Sequence, residues 1–492
     1  MMEANNYSLR LPERWTWIKV GDINNKLQYG SSEKANGDYS GIPVIRMGNI
    51  KDSKIIYDNL KYFSLDSPDL DEILLEDGDV LFNRTNSPEL VGKAAVYRNR
   101  SNYPKAVFAS YLIRIKVKKS FYDPELLSLF INSFYGREFI KSVVSQMVGQ
   151  ANVNGTKLAA MPIPLAPLAE QHRIVARIEE LFSRLDVGVE ALQKAKAQLQ
   201  RYRQAVLKAA VEGRLTEEWR KTHQNVELAE TLLESISIKE AELPDEKNRP
   251  QLPYGWAWAS LEQLSEQIVD CLHSTPEFAS NGKYCIDTTC IEPGRILFDK
   301  ARFVSEEIYR ERIRRLKPEA GDILFSREGT IGTAITVLNN VEFCLGQRMM
   351  MFRPSDSIIP AYFMWAMLSD TFKKQWEPKV TGTTAPHVNI RDLRVMVLPL
   401  TSVAEQVEII DEIESKLSLT DEIERIIGQN LIRAVRFRQS ILKLAFEGRL
   451  VPQDPSDEPV SVLLERIKTE KAKESPRRAR RNNSIQQMRL IQ

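Results

Sequence analysis

RYRQAVLKAAVEGRL, residues 201–215, recurs as RFRQSILKLAFEGRL, residues 436–450, at an offset of 235 residues. The same offset runs backwards without a gap through Asp186/Asp421, Ala169-Glu170-Gln171/Ala404-Glu405-Gln406, Pro164-Leu165/Pro399-Leu400 and Val153-Asn154/Val388-Asn389. Further upstream the order of landmarks survives. Leu11-Pro12 with Trp15 and Trp17 returns as Leu252-Pro253 with Trp256 and Trp258, and Gly78-Asp79-Val80-Leu81-Phe82 returns as Gly321-Asp322-Ile323-Leu324-Phe325. A self-similarity of this period makes the chain two tandem copies of one unit. Their closing thirds nearly coincide, whereas residues 25–75 and 265–317 share almost nothing. One part keeps a common task and the other has diverged.

The common part reads as helix. Ile174, Ile178, Leu181, Leu185, Gly188, Leu192, Ala195 and Leu199 follow steps of four and three, the spacing of a coiled-coil seam, and Ile409, Ile413, Ile423, Ile427, Ala434, Phe437, Ile441 and Leu444 fit the same frame, with Lys416, Thr420 and Asn430 as polar interruptions. Ser402-Val403-Ala404-Glu405 predicts a capping box, and Gly213 and Gly448 suit the left-handed position just past a helix C-terminus. The stretch from Val403 to Glu447 would be about 68 Å long as unbroken helix. Residues 166–190 carry five acids and three bases, and 191–214 six bases and one acid; residues 401–425 and 426–449 repeat that polarity with eight acids to two bases, then five bases to one acid. Acidic starts against basic ends predict an antiparallel pair with pseudo-twofold symmetry.

The divergent parts carry short runs of strand character, Val80 to Phe82, Tyr111 to Val117 and Ile323 to Phe325, and helices opening on Pro124 and Pro360. These are two mixed α/β domains. Asn83-Arg84-Thr85-Asn86 and Ser326-Arg327 follow equivalent strands with groups suited to base edges, since Arg bonds guanine and Asn bonds adenine in bidentate fashion. A second polar loop precedes the last strand: Gly149-Gln150-Ala151-Asn152-Val153-Asn154 in one copy, and Thr381 to Asn389, with Thr383, Thr384 and His387, in the other.

Composition narrows the class. The 492 residues are 43% hydrophobic and 27% charged, and no run approaches the roughly 20 apolar residues of a membrane span. Cys271, Cys285, Cys290 and Cys344 all lie in the second half, which is no disulfide framework, and the N-terminus lacks an export signal, so a reducing cytoplasm is expected. The net charge of +2 conceals a split: residues 471–492 carry seven bases and one acid, leaving an acidic body. Phosphate-loop, dinucleotide, zinc-helix, nucleophile-elbow and base-methylation signatures are all missing, so no catalytic residue and no metal ligand is expected. Cys271, His273, Cys285 and Cys290 lack zinc-knuckle spacing.

These residues resemble the specificity (S) subunit of Type I DNA restriction-modification enzymes, through PLAPLAEQ at residues 164–171, the Glu-Gly-Arg-Leu endings and the Gly-Asp-Val/Ile-Leu-Phe-x-Arg segments. The resemblance covers nearly the whole chain. It implies an α+β fold of two target recognition domains, residues 1–165 and 251–400, joined by two long antiparallel conserved helices, 166–215 and 401–450, in a pseudo-twofold tandem repeat. Residues 216–250 would be a linker and 451–492 a C-terminal extension with a basic tail. The implied function is non-catalytic: reading an asymmetric bipartite target in double-stranded DNA and positioning two methyltransferase (M) subunits for adenine methylation. Restriction (R) subunits would complete the complex, and S-adenosylmethionine, ATP and magnesium would be bound by these partners and not by this chain. Asn83, Arg84, Thr85, Asn86, Gln150, Asn152, Asn154, Ser326, Arg327, Thr383, Thr384, His387 and Asn389 are the candidate DNA contacts. A coiled-coil adaptor without specific DNA recognition is the alternative that the helices alone leave open.

Overall fold

The structure, a computed structural model, describes residues 9–37, 40–65, 70–99, 103, 105–147, 150–236, 249–338 and 341–473. Gly149, Pro244 to Lys247 and the basic tail from residue 474 lie outside these. The chain divides into two compact units, Met1–Ala191 with Asn430–Gln492, and Leu192–Gln429. The structural unit is therefore not the sequence copy. Each unit takes its α/β domain and the start of one long helix from one copy, and the end of the other long helix with the segment after it from the other.

In the first unit, β1 (Asn24–Tyr29), β2 (Val80–Asn83), β3 (Ala94–Val96) and β4 (Leu112–Val117) form an antiparallel sheet in the order β1-β4-β2-β3. Every residue of β2 is buried, as a run of apolar side chains between two neighbours requires. A three-stranded sheet with a parallel pair, Ile42–Ile45 beside Val107–Phe108, makes the domain mixed. Helix α1 (Pro124–Asn132) starts where the Asp123 carboxylate accepts the amides of Glu125 and Leu126, and Pro124 occupies a first-turn position that needs no donor. Leu127 and Phe130 then share a core with Ile113 and Ile115.

The Gly-Asp pair before β2 is structural. Gly78 has φ +93°, in the left-handed region that favours glycine, and Asp79 accepts the Glu76 amide at 2.9 Å and the Arg114 guanidinium at 3.3 Å. The second unit repeats this with Gly321 at φ +95°, the Glu319 amide on Asp322 at 2.8 Å, and Arg353 held by both Asp322 oxygens at 2.8 and 2.9 Å.

Strand Thr16–Lys19 pairs antiparallel with Pro162–Leu165, which delivers the chain into α2 (Leu168–Val211). There Gln171 takes the Asp123 amide and donates to the carbonyls of Phe121 and Ala166, fastening the helix start to the domain.

The second unit has the same plan: β5 (Ser265–Asp270), β6 (Ile323–Ser326), β7 (Ala334–Thr336) and β8 (Met349–Pro354) in the order β5-β8-β6-β7, helix α3 (Pro360–Met367), and strand Ala257–Ser260 paired with Val397–Leu400 ahead of α4 (Val403–Phe446). Gln406 accepts the Ile359 amide and donates to Ser357 and Thr401 carbonyls, the counterpart of Gln171. Only half of the predicted capping box forms. Ser402 Oγ accepts the Glu405 amide at 3.2 Å, but the Glu405 carboxylate turns inward. It receives Trp256 Nε1 at 2.8 Å, Thr401 Oγ1 at 2.7 Å, Thr216 Oγ1 at 2.7 Å and Arg220 Nη1 at 2.6 Å. In the first unit Glu170 is equally buried, yet its Oε1 has no partner among the described residues, and burial pushes its carboxyl up.

The helices pair antiparallel inside each unit. Ile174 and Ile178 share a core with Leu442, Ala445 and Phe446, and Asp186 bonds Arg438; in the other unit Val206, Leu207 and Ala210 share one with Ile409, Ile413 and Leu417, and Arg203 bonds Asp421. The acidic starts thus meet the basic ends. Leu181, Leu185, Leu192, Leu199 and Ile441 are half-buried and Ile427 is buried. Ile423 and Phe437 correct the sequence reading: they are 36% and 59% exposed. The buried line of α4 runs through Ile409, Ile413, Leu417, Thr420, Ile427 and Ala434. Short side chains at Thr420 and Ala434 take the centre of the seam and leave the larger residues on its flank.

The segments after the long helices are also built into the units. Helix Ala229–Ile236, within the expected linker, puts Leu232 in the second unit's core with Ala259 and Leu261. Residues 460–473 are helical and put Leu463 and Ile467 in the first unit's core with Trp15 and Ile18, while Arg173 grips Asp457 at 3.0 and 2.6 Å.

Candidate nucleic-acid interface

In each unit the loop that follows the second sheet strand meets the second polar loop through backbone bonds. The Arg84 carbonyl accepts the Val153 amide at 2.9 Å, and the Arg327 carbonyl accepts the Val388 amide at 3.0 Å. The two loops predicted from separate stretches of sequence are therefore one surface in each unit.

The candidate residues differ in what they present. Asn83 and Ser326 end their strands with no exposed surface. Ser326 Oγ donates to the Thr330 carbonyl at 2.5 Å, whereas the Asn83 amide group has no partner among the described residues. Neither side chain stands where a base edge could reach it, so both are scaffold. Arg84 is half-buried with its guanidinium 4.7 Å from the centre of the Tyr29 ring. Thr85 is buried and receives Asn152 Nδ2 at 2.9 Å; Asn86 is half-buried; Asn154 is exposed and caps the next short helix by accepting the Lys157 amide at 2.9 Å. The side chain of Gln150 lies outside the described residues. In the second unit Thr383, Thr384 and Asn389 are exposed, and His387 stands near Thr381 Oγ1 at 3.4 Å and the Ala385 carbonyl at 3.1 Å.

Arg327 is the outlier. It is 5% exposed, and its Nε and Nη2 bond both oxygens of Asp270, at 2.9 and 2.8 Å. Asp270 stands opposite Met350 on the central strand, the register position that Tyr29 holds opposite Ile113. The equivalent arginines are thus gripped by a ring in one unit and by a carboxylate in the other. Sequence reasoning missed these grips, and missed the exposed Tyr111 and Arg348 at the tips that precede β4 and β8, whose carbonyls accept the amides of Arg84 at 3.0 Å and Arg327 at 3.2 Å.

The four cysteines are buried, Cys285 opposite Cys344 on adjacent parallel strands, and burial pushes the Cys271 thiol up. Among the described residues no cluster of His, Cys, Asp and Glu is arranged to hold a metal ion, and no helix is long and apolar enough to cross a membrane.

Residues 12–197 and 272–431 match the Type I restriction modification DNA specificity domain, and the chain belongs to that family. It is 24% identical to the Type I restriction enzyme EcoKI specificity subunit of Escherichia coli strain K12, over 96% of this chain and 99% of that one, and 26% identical to the EcoBI specificity subunit of Escherichia coli, over 98% of each. It shares its fold, at 19% identity and a TM-score of 0.61, with a chain solved in work on complex assembly and conformational transition of the type I R-M system, over 89% of this chain and 99% of that one. The protein is a specificity subunit of a Type I restriction-modification system, a component that carries DNA specificity and leaves catalysis to partner subunits.

Proposed function

We propose that this chain reads an asymmetric, bipartite sequence in double-stranded DNA, one half per unit, and positions two methyltransferase subunits for adenine methylation. The observation that carries the reading is the pairing of one scaffold with two different surfaces: loops of the same topology present Arg84 on Tyr29 beside exposed Tyr111 in one unit, and exposed Arg348 above the buried pair of Arg327 and Asp270 in the other. A shared scaffold gives two readers of the same kind, and different side chains give two different half-sites. The closely matching helices supply two similar faces for two copies of one partner, and exposed apolar side chains such as Leu419 in one unit and Val435 in the other suit docking. S-adenosylmethionine, ATP and magnesium belong to the methyltransferase and restriction subunits of the assembled complex, which acts in the cytoplasm. Much of the grip on phosphate then falls to those partners, consistent with a net charge of only +2 here.

The test is to map methylated adenines in cells that carry the chain with its methyltransferase subunits. A split, asymmetric motif is expected. Exchanging residues 1–165 for another reader should change one half of it, and a change in both halves would refute the assignment of one unit to each half.

A further inference from the structure

The two equivalent arginines are held in opposite ways. Arg327 has two donors committed to Asp270 in a buried pair, and reading a base with it would strip both guanidinium bonds from that buried carboxylate, leaving it only the exposed His273 imidazole at 3.1 Å. Arg348 is placed differently. It stands one residue before β8 at φ +71°, a left-handed backbone that an L side chain adopts at a cost and that a long side chain keeps only where surroundings enforce it. Its carbonyl accepts the Arg327 amide, which fixes that backbone. Its side chain is half exposed, with Nε 3.3 Å from Glu328 Oε1, and it passes over Gly329, where an added Cβ would come within 3.7 Å of Nη1. The guanidinium therefore sits on the face made by the two polar loops, partly neutralised by Glu328. The first unit has an exposed aromatic residue, Tyr111, at the same tip.

Resting on the bipartite-DNA reading above, we propose that Arg348 is the specificity-determining arginine of the second unit, recognising a guanine edge, and that Arg327 is a positioning residue that fixes the tip from below. A guanidinium reads guanine through two donors directed at O6 and N7. Arg348 keeps such donors at the surface, while those of Arg327 face Asp270.

The experiment selects sequences from a randomised duplex library with the full chain assembled with its methyltransferase subunits. Arg348→Gly and Arg348→Asn both tolerate the left-handed backbone, so they remove the guanidinium without new strain. Each should lose discrimination at one base pair of one half-site, on the order of 10- to 100-fold, with the other half unchanged. Asp270→Asn combined with Arg327→Gln should weaken binding to all sequences alike and leave the preferred bases in place. A wild-type split motif that both Arg348 variants leave unaltered overturns the inference and spares the functional reading. A change of preferred base in the Asp270/Arg327 double variant returns the reading to Arg327 and also overturns it. Absence of any split motif from the wild-type complex overturns the functional reading itself.

Discussion

Replacing Glu405 with alanine should destabilise the second unit by about 3–5 kcal/mol, the usual cost of removing one partner from a buried ion pair. The carboxylate is almost fully buried and Arg220 is 20% exposed, so solvent screens their bond weakly. Its loss strands the guanidinium, the Trp256 indole N–H and two threonine hydroxyls, each buried donor costing about 1–3 kcal/mol when unsatisfied. Rotation of the hydroxyls and the remaining bonds from Arg220 to the Gly213 carbonyl and to Thr216 Oγ1 keep the total below that sum. Glu405→Gln preserves volume and half of the acceptors, and should cost about 1–3 kcal/mol. Urea unfolding followed by tryptophan fluorescence gives the size. Hydrogen exchange gives the place, with protection lost first around Thr216 to Arg220 and the first turn of α4. An alanine variant within about 0.5 kcal/mol of wild type, the range of an ordinary surface substitution, would refute the argument.

At the equivalent Glu170 the sign reverses. Burial raises this carboxyl's pKa above its ordinary 4.5, so its contribution to stability is fully present below that value and is lost as pH rises through the raised one. Glu170→Gln should therefore gain on wild type between pH 4.5 and neutrality in urea midpoints, and a gap that stays constant would contradict this. Gly213→Ala and Gly448→Ala should each cost at least about 1–2 kcal/mol, since both glycines are left-handed and an added Cβ would collide with Pro253 or Pro12; thermal melts will show whether they do. Ile427→Ala should cost about 2–5 kcal/mol by urea denaturation and Phe437→Ala no more than about 0.5, the reverse of what their side-chain sizes suggest.

Legibility followed the range over which the chain makes each interaction. Both long helices were readable because a helix declares itself every three or four residues, and the start at Glu405-Gln406 repeats the start at Glu170-Gln171. The seam is legible at Ala434, but aliphatic spacing also draws in Ile423 and Phe437, which are exposed, and makes the buried Thr420 look like a polar interruption. The arginine loops could be placed because they directly follow conspicuous strands. Their grips could not: Tyr29 and Asp270 lie in the stretches that share almost nothing and meet Arg84 and Arg327 across more than fifty intervening residues. The core roles of Leu232 and Leu463 were hidden for another reason. These residues stand 231 positions apart, so the constant offset of 235 does not align them.

The composition of the units sets an order on synthesis. The second unit is one unbroken stretch, Leu192–Gln429, while the first joins Met1–Ala191 to Asn430–Gln492. The α/β domain of the first unit therefore lacks part of its core, including Leu442, Phe446, Leu463 and Ile467, until the segment carrying those residues leaves the ribosome. At roughly 5–20 residues per second that wait lasts about 15 to 55 seconds. The second unit, though later in the sequence, has its whole core available first, and the first unit is completed only once the segment carrying Leu442 to Ile467 has been made.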